Sequence, residues 1–379
     1  VDFRLTEDQQ LIRDTARDFA QREIAPQAEE IDRTGEFPVD IFKQMADLGL
    51  MGLPIDEEYG GAGADYTSYC LALEEITRAC ASTGLGYEAH ISLGCMPLDY
   101  FGTEEQKREY LPQLCSGESM GSFGLTEPEA GSDAGGTKTT ARLENGEWII
   151  NGSKCFITNA SYAKFVTITA VTDKDKGTRG ISNIIVPAGT PGFVVKTGYE
   201  KLGLHGSNTT ELFLDDVRVP EKNLVGVRGQ GYKQFLIVLD GGRIAIGAMG
   251  VGIAQACLDA ALKYAKERCQ FGQPIGKFQA IQFKLADIAM NIELARNMYL
   301  KAAWLKDTGQ PYSLEASYAK LFGSEMSTKA ALEAIQIHGG YGYINEFPVG
   351  RYLRDSKLLE IGEGTSEVIR LVIARRLGL

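Results

Sequence analysis

Asn145-Gly-Glu-Trp-Ile-Ile-Asn-Gly152 is where the sequence changes character. Two Asn-Gly pairs flank an aromatic and β-branched run, and Asn-Gly accepts the positive φ angles of a tight hairpin turn. Further on, Phe165-Val-Thr-Ile-Thr-Ala-Val171, Ile181 to Val186, Phe193-Val-Val-Lys196 and Glu211-Leu-Phe-Leu-Asp215 are short β-rich runs divided by Gly, Pro and Asp. They lack the interleaved helices of a parallel sheet, so the spacing predicts a small sandwich or barrel.

On either side the period is helical. Thr6 and Gln9 form a capping box ahead of Leu11, Ile12, Ala16, Phe19, Ala20 and Ile24, and Pro26 ends or bends that helix. A second helix starts at Phe37-Pro38-Val39-Asp40, a third runs through Leu71, Leu73 and Ile76, and Thr103 with Gln106 opens another. Residues 220–231 read as a connector. Residues 243–267, 278–306 and 313–338 then carry apolar residues at three- and four-residue intervals, which suits a bundle. Gly247, Ala248, Gly250, Gly252 and Ala254 crowd the first of these, so a close helix partner is expected there. The predicted class is α+β multidomain: an N-terminal helical domain over 1–118, a middle β-sandwich or barrel over 119–231, and a C-terminal four-helix-bundle domain over 232–379.

Composition narrows the function. A chain of 379 residues exceeds the ~250–300 at which single cores stop growing. A net charge of −11 argues against nucleic acid or an anionic membrane as the main partner, so anionic ligands need local Arg, Lys or helix N-termini. Seven cysteines without a CxxC pair read as reduced thiols in a cytoplasmic protein, and three scattered histidines give no metal site. No leader opens the chain and no apolar run reaches the ~18 residues of a membrane helix. The Asn-x-Ser/Thr matches at Asn151, Asn159 and Asn208 are read as chance. No G-x-G-x-x-G or P-loop is present, so a nucleotide cofactor would have to sit in a crevice between domains.

Two stretches carry chemistry. Residues 354–370 read Arg-Asp-Ser-Lys-Leu-Leu-Glu-Ile-Gly-Glu-Gly-Thr-Ser-Glu-Val-Ile-Arg. Glu363 stands between Gly362 and Gly364, which let a flat ligand approach and make unusual backbone angles cheap. Thr365 or Ser366 can N-cap the apolar helix that follows, whose first amides favour negative charge. Taken alone, this is a loop and helix start with an incidental Glu. The second stretch, Phe123-Gly-Leu-Thr-Glu-Pro-Glu-Ala-Gly-Ser-Asp133, is by itself a turn opening the β region.

Together they resemble the acyl-CoA dehydrogenases, a flavoenzyme family: the first its catalytic-base segment, the second its flavin-contacting signature. The resemblance runs from Leu5 to Leu379, with several motifs in the family's order. It implies the family's three-part fold, FAD as cofactor, and α,β-desaturation of an acyl-CoA thioester. A base removes the α-proton while the β-hydrogen leaves as hydride to the flavin N5. One carboxylate suffices as base when burial raises its pKa, and the resemblance assigns Glu363. Glu360, three residues earlier, is the lesser candidate, since a turn at Gly362 would face it elsewhere. Some relatives carry the base near the start of the first long C-terminal helix. The matching position here, in Leu239-Asp-Gly-Gly-Arg243, is Gly242 and has no acid.

The resemblance also assigns ligand contacts. Phe123, Leu125, Thr126, Gly131 and Ser132 match positions along the isoalloxazine ring, Ser132 touching substrate as well. Phe156, Ile157 and Thr158 match the second ring contact; Phe156 stands where Trp is frequent, and is otherwise ordinary strand core. Arg268, Gln270 and Phe271 resemble a segment that reaches the flavin pyrophosphate from a neighbouring subunit, and Phe278 and Gln279 follow at the family spacing. An Arg there suits a bidentate phosphate contact, though a lone Arg ending a helix also serves as a solvated charge. Gln336 and Gly340 match a contact at the adenosine end, with His338 structural, and Thr365 and Glu367 complete the cofactor set. Asp240, Arg243 and Gly364 join Ser132 as substrate contacts; read alone, Asp240 and Arg243 are a helix cap and a surface ion pair. Glu88 and His90 fall where relatives line the acyl pocket, and a carboxylate there either selects among polar acyl tails or is a surface ion. Gly362 departs from the family, which often has Tyr, and should open or reshape that pocket.

The implied partners are an acyl-CoA, electron-transfer flavoprotein and further copies of the chain, in a homotetramer with shared FAD sites. Similarity to short-chain members points to short or short-branched acyl groups. Two alternatives stay open: an oxidase-like enzyme using O₂, although the extra C-terminal domain of many oxidases is missing, and a catalytically silent helical scaffold, against which Glu363 argues.

Overall fold

The structure, a computed structural model, describes residues 4–379. Helix α1 (Glu7–Phe19) opens on its capping box, Thr6 Oγ1 accepting from the Gln9 amide and Gln9 Oε1 from the Thr6 amide. Pro26 bends the chain without ending the helical path. A π-turn (Ala20–Ile24) and a 3₁₀ turn (Ala25–Gln27) absorb the missing amide and lead into α2 (Ala28–Thr34). There follow α3 (Val39–Asp47), α4 (Tyr66–Ala79), α5 (Ala81–Glu88), a π-turn over Ala89–Cys95, α6 (Met96–Phe101) and α7 (Glu104–Cys115). The stretch from α5 to α6 shows no helical period because nearly every residue up to Leu98 is buried, so no polar face marks the turns.

The middle region holds β1 (Phe123–Gly124), β2 (Thr140–Glu144), β3 (Glu147–Thr158), β4 (Phe165–Val171), β5 (Ile181–Pro187), β6 (Phe193–Thr197), β7 (Thr209–Pro220) and β8 (Leu224–Val225). The strand order is β6-β7-β3-β2-β4-β5-β8, with β1 parallel to β4. A single bridge, Thr140 to Val171, joins β2 to β4. The sheet folds over there, and Trp148, Ile150, Val166, Ile168, Ile184, Leu212 and Val217 fill one core between its halves. Asn145-Gly146 closes the β2–β3 hairpin with φ of 52° and 82°. Asn151-Gly152 does not turn the chain. It forms a bulge inside β3, where Gly152 has φ 153° and an added Cβ would lie 2.4 Å from Thr139 Oγ1. The Asn151 amide is occupied instead by Asp216, donating to its carboxylate at 2.9 Å.

The C-terminal part comprises α8 (Gly231–Glu267), a hairpin of β9 (Cys269–Gln270) and β10 (Gln273–Pro274), α9 (Gln279–Asp307), α10 (Ser313–His338), α11 (Val349–Leu359) and α12 (Ser366–Arg376). Helix α8 begins well before residue 243 and runs straight through Gly241-Gly242, each glycine costing about 1 kcal/mol relative to alanine. Its small residues admit close neighbours, as expected. An added Cβ on Gly250 would meet the Gly323 carbonyl of α10 at 2.4 Å, and one on Gly252 the Glu74 carbonyl of α4 at 2.5 Å. Helix α4 packs against both α8 and α9, so the N- and C-terminal helices share one core. By length and composition α8 could cross a membrane, but 78% of its most apolar stretch is buried inside the protein. It is the core helix of a bundle.

Candidate active site

Glu363 sits in the turn between α11 and α12. The Gly362 amide closes on the Leu358 carbonyl at 2.8 Å, and Ser366 N–H reaches back to the Glu360 carbonyl at 2.9 Å. Thr365 caps α12 by accepting from the Val368 amide at 3.3 Å. Between these fixed ends Glu363 adopts φ 54°, a left-handed conformation that costs a non-glycine residue roughly 1–3 kcal/mol. Gly364 follows at φ 107°. The turn drives the Glu363 carboxylate into the protein, against Gly242 in mid-α8. A Cβ on Gly242 would lie 2.2 Å from Glu363 Oε2. The glycine that weakens α8 therefore makes room for the carboxylate. Gly242→Ala is expected to keep the fold but lower kcat by roughly tenfold to a hundredfold by pushing the carboxylate aside. Unchanged kcat would show that the two do not meet.

Both Glu363 oxygens are buried, and they have no hydrogen-bond partner other than the adjacent Glu88 carboxyl. Burial pushes this carboxyl up to about 7, against the lowering effect of a hydrogen bond from the Glu88 carboxyl and of the Arg243 and Lys320 charges. Glu88, the last residue of α5, is also fully buried. Burial and the Glu363 charge both raise its carboxyl well above the usual range, and the Ser92 hydroxyl donates to it from the π-turn. The pair thus resists carrying two charges at once. Glu88 is no surface ion. Arg243 and Asp240 pair at 2.5 Å within α8, and the Arg243 side chain is buried with Nε unpartnered. They are neither a helix cap nor a surface ion pair. Lys320, on α10 and wholly buried, donates from Nζ to the Gly364 carbonyl. Glu360 turns away: it accepts from Thr328 Oγ1 at 2.6 Å and Lys357 Nζ at 2.7 Å.

His90 and Asn159 lock this acidic pocket to the β region. The Gly121 amide donates to His90 Nδ1 at 2.8 Å, which leaves Nε2–H to donate to the Met51 carbonyl at 2.9 Å. His90 is thus a neutral structural residue, its pKa lowered by burial to about 4. Asn159 Nδ2 bridges the carbonyls of Gly86 and Gly121.

Phe123, in β1, pairs with Thr167 of β4, and the chain then runs exposed through Gly131 and Ser132, with open space beside Gly131. A buried ion pair lies under this segment. Lys154 Nζ donates to Glu127 at 2.7 Å, to Thr169 Oγ1 at 2.9 Å and to the Leu125 carbonyl at 3.2 Å. Glu127 also accepts from Thr137 Oγ1 and from the amides of Lys138 and Thr139. Burial alone would raise the Glu127 carboxyl; the Lys154 ammonium and these donors hold it at about 2. The Cys155 amide fixes the Thr126 carbonyl at 2.9 Å. Phe156 is no core residue: at φ 59° on the second β3 bulge, its ring is 63% exposed and leans on Tyr199. Ile157 points the other way, into the sandwich core, while the Thr158 carbonyl accepts from Ser122 Oγ at 2.7 Å.

A third group gathers elsewhere. Arg268, Gln270 and Gly340 line an open hollow of about 510 Å³ with Tyr264, His338 and Tyr341. The Arg268 guanidinium lies over the Tyr341 ring, and His338 stacks on Tyr264 as a structural residue. Phe271 projects from the β9–β10 turn, 94% exposed, with Phe278 edge-on beside it. Gln279 opens α9, Gln336 is exposed near the end of α10, and Glu367 is exposed in the first turn of α12. Neither Glu363 nor any residue of 123–158 lines the hollow.

Three family models cover almost all of this arrangement: the acyl-CoA dehydrogenase N-terminal domain over residues 6–118, the middle domain over 122–217 and the C-terminal domain over 229–378. The chain belongs to the acyl-CoA dehydrogenase family. It is 62% identical over 378 residues to a probable acyl-CoA dehydrogenase of Bacillus subtilis, YngJ, covering 100% of both chains. Butyryl-CoA dehydrogenase from Megasphaera elsdenii superposes with a TM-score of 0.98 at 43% identity, again over 100% of both. A chain of the structure described as "Electron transferring flavoprotein of Acidaminococcus fermentans: Towards a mechanism of flavin-based electron bifurcation" has a TM-score of 0.98 at 46% identity, covering 100% of this chain and 99% of that one. The acyl-CoA dehydrogenases are FAD-dependent enzymes, and the residues here fit that cofactor. Phe156 presents a flat apolar face, Gly131 leaves space for close approach, and Arg268 faces an open hollow with glycines on its rim.

Lys320, Ser92, Lys154 and Glu127 were not singled out from the sequence. Lys320 had a signal: it interrupts the stripe Ala316, Ala319, Gly323, Ser327 on a helix face that otherwise carries only small residues.

Proposed function

We propose that this chain dehydrogenates short-chain acyl-CoA thioesters, with Glu363 as the base that takes the α-proton. The observation that carries this reading is a buried carboxylate with no partner but the Glu88 carboxyl, held inward by a left-handed turn against Gly242. Its pKa of about 7 matches the proton-transfer task near neutral pH. Asp240 and Arg243 supply polar groups for the CoA moiety, and Ser132 and Gly364 approach the substrate. Phe123, Leu125, Thr126, Gly131, Ser132, Phe156, Ile157 and Thr158 hold the isoalloxazine, Ile157 through its backbone. FAD, when bound, supplies the acceptor for the β-hydride. Thr365 and Glu367, at the α12 N-terminus, would complete the groups that hold it.

The hollow bearing Arg268, Gln270 and Gly340 is separate from these residues, which supports a homotetramer in which Arg268, Gln270, Phe271, Phe278, Gln279, Gln336 and Gly340 serve a neighbouring copy's FAD. The four-carbon substrate named for the Megasphaera enzyme supports short acyl groups, and the Acidaminococcus structure supports electron-transfer flavoprotein as acceptor. Dehydrogenases among the similar proteins disfavour the O₂-using alternative.

Anaerobic titration with acyl-CoAs of increasing length, followed by the flavin spectrum, tests the function. Bleaching strongest at about four carbons is expected; a flavin that no saturated acyl-CoA bleaches would overturn it. Because Glu363 acts ionised and its pKa is raised, kcat/KM should climb as pH rises through about 7. A profile flat from about pH 5.5 to about 8.5 would remove Glu363 from the role.

A further inference from the structure

Lys320 is buried in α10, at a position whose neighbours on the same face are Ala316, Ser317, Ala319, Gly323 and Ser324. Burying an ammonium is costly unless it is hydrogen-bonded and compensated. Its hydrogen bond goes to the Gly364 carbonyl, on the peptide that links Gly364 to Thr365. That peptide belongs to the most strained part of the turn, with consecutive φ angles of 54° and 107°. On α12 the Thr365 cap fixes one side of the turn, and the Leu358 carbonyl fixes the other. Lys320 ties the backbone beside Glu363 to α10, as Thr328 ties the Glu360 side chain at the start of the turn, and α10 is the helix with the most extensive packing on α8. Gly242, which receives the Glu363 carboxylate, is on α8.

We propose that Lys320 is the positioning residue of the active site: its buried ammonium anchors the Gly364 carbonyl to α10 and so holds the strained turn that presents Glu363 to Gly242. This rests on the assignment of Glu363 as base. The cation has a second consequence for the same group. The charged and titratable groups around Glu363 are Glu88 from α5, Arg243 with its partner Asp240 from α8, and Lys320 from α10. Lys320 in turn feels Glu363, Arg243, Glu360 and Glu325. Burial lowers its own pKa to about 8, which leaves it charged at neutral pH, where it favours ionised Glu363. Removing it must move the base's titration upward.

Two variants separate the anchor from the charge. Lys320→Met removes both; Lys320→Gln keeps a donor for the Gly364 carbonyl and removes only the charge. With Lys320→Met, hydrogen exchange at the amides of residues 362–366 should accelerate, and kcat should fall roughly tenfold to a hundredfold with KM little changed. The midpoint of kcat/KM against pH should move up by about one unit. Lys320→Gln should restore slow exchange in the turn and keep the upward pH shift. Hydrogen exchange needs no turnover, so it tests the anchor even if Glu363 is not the base. Wild-type exchange at 362–366 in both variants overturns the proposal, as does exchange accelerated equally in both. If Lys320→Met fails to fold, the Gln variant's pH midpoint decides: an unshifted midpoint overturns the electrostatic part. Full activity of Glu363→Gln, with turn exchange still dependent on Lys320, would instead sink the base assignment alone.

Discussion

Glu363→Gln is expected to lower kcat by about 10³–10⁴-fold or more while leaving acyl-CoA affinity and bound flavin nearly intact, because only the proton acceptor is removed. The side chain keeps its size, and the pocket against Gly242 that holds the carboxylate suits the amide equally well. The same substitution makes a stability prediction of opposite sign. A carboxyl whose folded pKa is raised is neutral in both folded and unfolded states below about 4.5, so it costs nothing there. As pH rises toward 7 the unfolded chain ionises freely while the buried group resists, and wild type loses stability over that window. The Gln variant, which cannot ionise, should gain thermal stability relative to wild type as the scan moves from acid to mildly alkaline pH. An active site that costs stability in exchange for function behaves in this way. Retained turnover would reject the base; a stability difference independent of pH would reject the raised pKa. The two readings fail separately.

How much of this was legible in the sequence depends on what each residue does locally. Capping boxes at Thr6 and Thr103 and the Asn145-Gly146 hairpin depend on adjacent residues, and all three form as predicted. Asn151-Gly152 carries the same dipeptide signal, but the neighbouring strands override it. Asp216 on β7 engages the Asn side chain and Thr139 crowds the glycine, so the pair bends β3. The apolar spacing over 243–267 marks only part of α8, which starts at Gly231 and carries the poor helix formers Gly241-Gly242 in its course. The reason for those glycines lies far away in the chain, at Glu363. The α5–α6 segment is buried on all sides and offers no period to read. Glu363 itself was visible through its glycine flanks and family resemblance, but its neighbours Glu88, Arg243 and Lys320 come from three different helices. Sequence spacing cannot bring them together. Their meeting follows from the shared core, in which α4 and α5 pack on α8.

Shared packing also links the two halves of the chemistry. Glu88 faces Glu363, and two residues later His90 holds the Gly121 amide that leads into Phe123. Asn159, next to Thr158, binds the Gly86 and Gly121 carbonyls. The acid pocket and the strands proposed to face the flavin are therefore ends of one hydrogen-bonded unit. A change in the bend at Ala89–Cys95 would move both, which accounts for a neutral, fully buried histidine at that point.

Lys154→Met should be the most destabilising single change in the β region. Its ammonium is entirely buried and has Glu127, Thr137, Thr169 and the Leu125 carbonyl as partners. Removing one member of a buried ion pair leaves the other charge uncompensated, at a cost of about 3–5 kcal/mol. The damage should reach the cofactor, because Lys154 holds Leu125 and the next residue's amide, that of Cys155, holds Thr126. The variant is expected to melt well below wild type and to lose flavin on gel filtration. A second change decides the cause. Glu127→Gln on top of Lys154→Met removes the stranded charge while keeping an acceptor for the Thr137 hydroxyl and for the amides of Lys138 and Thr139. The double variant should recover much of the lost melting temperature but not the tie to Leu125, so its flavin should remain loosely held. If the single variant melts like wild type, the ion pair is not supporting the loop. If the double variant regains both stability and flavin, the Leu125 contact is dispensable and only the charge balance mattered.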